Sequence, residues 1–213
     1  MSLVRLLRIL RALGVEPQLV LTPPRIDRLP VRDRAHARCV GAVAQRLRRA
    51  GFLVATEVEV GGARWRGFID VLAMHPAARL LLVIEVKTGI DDLGAIDRQL
   101  ESYVEAAWEA ARSRGWRPRG ATGILLALAT DEIDRVLKVH RRLIDAAFPL
   151  RYRDLQPLID AIPHGLPPRG ARGVAMIDPA TRRRAWLLST TIDGRRTAAA
   201  YADRREFLVG RAA

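Results

Sequence analysis

The stretch from Arg64 to Lys87, RWRGFIDVLAMHPAARLLLVIEVK, constrains this chain more than any other. Two apolar runs rich in β-branched residues, Gly67 to Met74 and Leu80 to Val86, flank a Met-His-Pro-Ala-Ala-Arg interruption. Pro76 suits the second position of a tight turn, so the pattern predicts a β-hairpin. With the turn centred between Ala77 and Ala78, antiparallel partners have residue numbers summing to about 155, which sets Asp70 opposite Glu85. Opposed carboxylates inside Val/Ile/Leu runs repel one another and lose hydration. A divalent cation between them would reverse the sign. Lys87 follows Glu85 by two positions and projects from the same face, so two carboxylates and an ammonium converge. The plain alternative is a buried ion pair of Lys87 with Glu85 or Asp70, an arrangement that seldom repays its desolvation.

At 213 residues the chain has room for one α/β domain and an appendage. Thirty-six basic residues against 23 acidic ones give a net charge of +13, carried almost entirely by arginine. That excess favours a polyanionic partner, and the planar guanidinium fork suits phosphate; an arginine-rich genome is the other source of such a composition. The charge is uneven. Acidic residues prevail between Arg79 and Arg114, whereas 32–49 and 151–211 are strongly basic. Cys39 is the only cysteine, which excludes an internal disulfide and a cysteine zinc cluster. The opening SLVRLLRILRAL is broken by arginines, unlike the apolar core of a signal peptide, and no stretch is long enough to span a bilayer. The expected setting is cytoplasmic, with no membrane partner.

Asp70, fourteen intervening residues and then Glu85-Val86-Lys87 on an apolar strand resemble the core motif of the PD-(D/E)XK nuclease superfamily, the restriction-endonuclease-like fold. The proline usual before the aspartate is Ile69 here. The resemblance implies an αβββαβ core with a mixed sheet flanked by helices, and the order of predicted elements from Arg32 to Phe148 agrees. It implies catalytic roles for Asp70, Glu85 and Lys87, with Mg²⁺ (or Mn²⁺) held by the two carboxylates and the backbone carbonyl of Val86. These are hard oxygen ligands, which speak against zinc. Many members also carry a metal-binding glutamate on the first helix; this chain has only Asp33 at that helix's start, so Glu57 on the following strand is the preferred substitute. His36 on the helix is a candidate for contact with phosphate or substrate, although a lone helical histidine is more often structural. Gln99 and Tyr103, one turn apart, resemble the Q-x-x-x-Y element of RecB-like members that helps position substrate or lysine. Arg34, Arg38, Arg64 and Arg66 are the expected nucleic-acid contacts.

In chain order, residues 1–30 read as an amphipathic helix at Leu3–Leu13, a strand at Gln18–Leu21 and an extended linker through Pro23, Pro24 and Pro30. Residues 31–150 form the nuclease-like core: a helix from Arg32 to Ala50, a strand from Phe52 to Val60, the hairpin, a helix from Asp92 to Arg114, a buried strand from Thr122 to Thr130 and a helix from Glu132 to Ala147. Residues 151–213 form a C-terminal α/β extension packed on the core. It holds a helix at Tyr152–Ile162, the HGLPPRG loop, a hairpin of Val174–Ile177 with Ala185–Thr190, and a helix near Ala198–Leu208. Arg182, Arg183 and Arg184 are equally readable as phosphate contacts or as a solvated turn. The chain is similar to uncharacterised bacterial proteins that join this core to an N-terminal helix-turn-helix, but its start is too short for that module. The expected function is Mg²⁺-dependent hydrolysis of DNA phosphodiester bonds, with RNA as the alternative partner; a homodimer or a separate DNA-binding protein would supply any sequence reading. The competing readings are a catalytically inactive nuclease-fold module that binds nucleic acid or regulates, and a structural protein.

Overall fold

From Leu80 to Lys87 every position but Glu85 and Lys87 is apolar, so both faces of that strand need cover. A sheet sandwiched between helices supplies it. The computed structural model describes residues 12–13, 31–62, 65–160 and 170–210. All but the last two residues of the helix expected at Leu3–Leu13, the Gln18–Leu21 strand, the proline linker, nearly all of the HGLPPRG loop and Arg64 lie outside the described residues.

Helix α1 spans Val31–Arg49 and buries Ala35, Cys39, Val43 and Leu47. Gly51 ends it at φ +88, a backbone that glycine adopts without strain, and the Phe52 N–H turns back to Leu47 O. Strands β1 (Leu53–Gly61), β2 (Arg66–His75) and β3 (Leu80–Lys87) then run antiparallel in sequence. After helix α2 (Leu93–Ser113), β4 (Gly120–Leu128) lies parallel to β3. Helices α3 (Asp131–Val139), α4 (Arg141–Ala147) and α5 (Tyr152–Asp160) lead to β5 (Arg172–Ile177), parallel to β4. The short β6 (Leu187–Leu188) closes the sheet antiparallel to β5, and α6 (Arg204–Val209) follows. The result is α/β: one mixed six-stranded sheet in the order β1-β2-β3-β4-β5-β6, flanked by helices.

The β2–β3 register has Val71 opposite Ile84 and His75 opposite Leu80, so partner numbers add to 155 as the turn chemistry predicts. His75 holds the turn by accepting the Ala78 N–H at Nδ1, 3.1 Å away, while Arg79 takes φ +54. Asp70 meets α1, whereas Gly67, three residues back on the same strand, lies against Tyr103 of α2. An odd separation along a strand reverses the side, so α1 and α2 cover opposite faces.

Some boundaries differ from expectation. The helix expected through Glu132–Ala147 is two helices, because His140 leaves helical geometry at ψ 25. The last helix begins only at Arg204, where the Asp203 side chain caps the N–H groups of Arg205 and Glu206. Just upstream, Tyr201 is extended and exchanges backbone hydrogen bonds with Ala129 and Asp131 at the end of β4. The residues after 150 therefore contribute strands to the same sheet and a cross-strap over its β4 end. No described helix is long and apolar enough to cross a membrane.

Candidate metal centre

Four elements, α1, β1, β2 and β3, bring the candidate chemistry together. β2 carries Asp70, 7 % exposed, into contact with α1, where His36 Nε2 donates to Asp70 Oδ1 at 3.1 Å. The other oxygen, Oδ2, accepts the Val86 N–H at 2.7 Å. Asp70 thus bridges the first helix and the third strand. On β3, Glu85 is 3 % exposed, and its Oε1 accepts from Lys87 Nζ at 2.6 Å. Its Oε2 is buried with no hydrogen-bond partner among the described residues. The structure therefore contains the ion pair considered from sequence, but that pair satisfies only one of the two Glu85 oxygens.

Glu57 stands opposite Asp70 in the β1–β2 ladder, between the Thr56–Val71 and Val58–Ile69 pairs. It adopts φ +50, a left-handed backbone uncommon for a non-glycine residue, without shifting the register on either side. One ligand atom each of His36, Glu57 and Asp70 lies within 4.8 Å of the others. Two carboxylates and an imidazole in that space form a donor set for a divalent ion. Having one nitrogen donor, it suits Mn²⁺ or zinc as well as Mg²⁺, so the all-oxygen argument drawn from Asp70, Glu85 and Val86 no longer speaks against zinc. The described contact of Val86 with this group is its N–H to Asp70.

The electrostatics show crowding of negative charge. Burial and the neighbouring Asp70 push the Glu85 carboxyl up to about 7 against the pull of Lys87. Burial and Asp70 also raise Glu57, and the hydrogen bond to Asp70 raises His36. A group in which carboxylates hold protons more tightly than usual is one that a cation would stabilise. Cys39, by contrast, is a buried thiol pushed up to about 12 and has no part in this chemistry.

Gln99 and Tyr103 come together, but on the far face of β2. Gln99 Nε2 donates to the Tyr103 hydroxyl at 2.7 Å, which also accepts the Phe68 N–H at 3.2 Å. The ring stacks on Trp65, and a Cβ at Gly67 would lie 2.6 Å from it. This pair fixes the start of β2 and makes no hydrogen bond to Asp70, Glu85 or Lys87. Among the expected phosphate contacts, Arg34 is half-buried and Arg38 is exposed with its guanidinium 4.5 Å from the Phe207 ring. Arg66 pairs with Glu59 at 2.5 Å. Arg182, Arg183 and Arg184 are exposed. A cleft of about 550 Å³ lined by Trp108, Arg119 and Arg172 lies at the N-terminal end of β4, the opposite end of the sheet from Lys87.

His36 is the residue that sequence reasoning weighed and set aside. Its only sequence signal is its place on the first helix, where the resembled family carries a metal-binding glutamate. The chain matches no protein-family model and no curated protein. The functional reading accordingly rests on the site's own geometry.

Proposed function

We propose that this chain is a divalent-metal-dependent nuclease of the PD-(D/E)XK type, hydrolysing phosphodiester bonds in DNA. The observation that carries the reading is Glu85: a carboxylate buried to 3 % exposure with one oxygen unpartnered, on the same strand face as Lys87 and beside Asp70. An unpaired buried carboxylate oxygen costs several kcal/mol unless something else satisfies it. The clustered donors fit a divalent cation: Asp70 and Glu57 as carboxylates, His36 as imidazole, and Glu85 adjoining them. Mn²⁺ matches this mixed set better than Mg²⁺, whose hardness favours oxygen.

When bound, the ion would supply charge against the scissile phosphate and acidify water. The chain's own residues do the rest. Asp70, anchored at both oxygens, fixes the geometry of the group. Lys87, held by Glu85, puts a positive charge where negative charge develops during displacement at phosphorus. The chain's arginine-rich flanks would hold the backbone through phosphates, which gives affinity with little sequence information. The restriction-endonuclease-like assignment is supported by the three antiparallel strands, the crossover helix and the parallel fourth strand. A binding module without chemistry is the second reading, favoured by the closed Lys87–Glu85 pair. Incubation of the purified protein with DNA and Mn²⁺ or Mg²⁺, with and without EDTA, decides between them: metal-dependent nicking or degradation supports the nuclease, and binding without cleavage of duplex, single-stranded, branched or RNA substrates supports the module.

A further inference from the structure

Residues 199–210 run from the end of β4 to α1 and pass the turn that follows the strand carrying Glu85 and Lys87. Tyr201 is tied to the end of β4 by its N–H to Ala129 O at 3.0 Å and its carbonyl from Asp131 N at 2.9 Å. Phe207 sits beneath Arg38 of α1 and packs edge-on against Tyr201. These two anchors, one on the sheet and one on α1, fix the intervening turn. Arg204 lies between them, and its guanidinium comes to Gly89: a Cβ there would be 3.2 Å from Nη1 and 3.7 Å from Cζ. Gly89 is two residues beyond Lys87. The half-buried Arg204 forms no ion pair or hydrogen bond among the described residues. The adjacent Asp203 carboxyl, which feels the Arg204 charge, makes its hydrogen bonds elsewhere, accepting from Arg205 N and Glu206 N. An unpaired guanidinium, positioned from two sides at the end of the strand that carries Glu85 and Lys87, has the chemistry of an oxyanion receptor.

We propose that Arg204 binds a backbone phosphate of the polynucleotide at this site, so that the C-terminal segment completes the substrate surface of the core. The proposal rests on the nuclease reading and adds a residue that the resemblance does not supply. Gly89 fits the same account, since any side chain there would crowd the guanidinium.

The test is a salt titration of fluorescent duplex and single-stranded oligonucleotides in Ca²⁺, comparing the parent with Arg204→Gln, Arg204→Lys and Arg205→Gln. Arg205 is exposed and one residue along, so its variant removes the same charge from the same helix. Loss of one phosphate contact should lower the slope of log affinity against log salt by about 0.9 on duplex or about 0.7 on single strands. Arg204→Gln should show that loss and a lower kcat/KM with Mn²⁺, with an unchanged thermal response to Mn²⁺ alone. Arg204→Lys should restore the slope, and Arg205→Gln should match the parent. If Arg204→Gln lowers the melting temperature, Arg204→Met, which keeps the apolar stem, takes its place. A parental slope and rate in Arg204→Gln, or equal losses in the Arg204 and Arg205 variants, overturns the proposal while leaving the nuclease reading intact. A parent that binds no polynucleotide removes both.

Discussion

His36 and Asp70, 34 residues apart in the chain, meet through a 3.1 Å contact between Nε2 and Oδ1. The contact ties the first helix to the central hairpin beside the carboxylates of Glu57 and Glu85, both of which Asp70 raises. His36 is also the nitrogen-bearing member of a His36, Glu57 and Asp70 group that could hold a cation, so the proposed site has a metal preference that can be measured.

Replacing His36 by alanine should therefore weaken Mn²⁺ more than Mg²⁺, by roughly tenfold or more for Mn²⁺. Calorimetric titration of each ion into parent and variant checks this. Equal losses for both ions would mean that the imidazole does not reach the metal.

The parent should gain thermal stability from Mn²⁺, because a ligand that binds only the folded state stabilises it by mass action. Asp70→Asn should lose that gain, since it removes the one carboxylate that touches both α1 and β3. Melting curves over a range of Mn²⁺ concentrations read the difference; equal gains in parent and variant would place the ion elsewhere.

Without metal, stability should fall as pH rises from about 4.5 to about 7. Glu85 binds its proton more tightly folded, at about 7, than its ordinary 4.5, so the folded state's advantage is full below 4.5 and is lost as pH climbs through 7. At about 1.4 kcal/mol per pH unit the loss is about 3 kcal/mol. Glu57 and His36 are raised too, and act in the same direction. Denaturant titrations of parent and Glu85→Gln across this range isolate the Glu85 share: the glutamine variant should show a shallower decline, and saturating Mn²⁺ should flatten the parent's.

Lys87→Ala should lower cleavage about a hundredfold to a thousandfold while retaining metal and DNA, because the ammonium acts mainly on charge that develops in the transition state. Lys87→Arg should not restore it; the broader guanidinium does not reproduce a point charge held 2.6 Å from Glu85. Single-turnover rates together with binding isotherms separate the two effects. An active alanine variant would end the assignment of Lys87.

Much of the hairpin was legible in the sequence because its signals are local. Pro76, the alternation of side chains and the paired apolar runs fix a register in which Asp70 falls opposite Glu85, and the strands pair with that register. Other features depend on contacts that no spacing records. Among the described residues His36 has no hydrogen-bond partner within its own helix, and its meaning comes from Asp70, reached only through the fold. The left-handed backbone at Glu57 has no residue signature, since glutamate rarely adopts it. Arg38 and Arg46 read as part of a basic helical face, yet Arg38 lies over Phe207, and Arg46 lies over Trp186 and donates to the carbonyls of Thr181 and Arg183. Part of the helix's charge is thus engaged in holding the C-terminal segment. The break at His140 was hidden because Val136, Leu137 and Ile144 keep a helical period across it.

The parallel pairing of β4 with β5 has a practical corollary for anyone trimming the chain. Gly123 through Leu128 are buried at every position, and one whole side of that strand's backbone is occupied by Gly123–Leu128 pairing with Arg172–Ile177. A fragment cut at residue 150 would present this run as a long, uncharged sheet edge, the kind of surface that recruits other chains. The shorter piece should precipitate or self-associate rather than behave as a minimal folded core, so residues 172–177 set the practical limit for dissecting the protein from its C-terminal side.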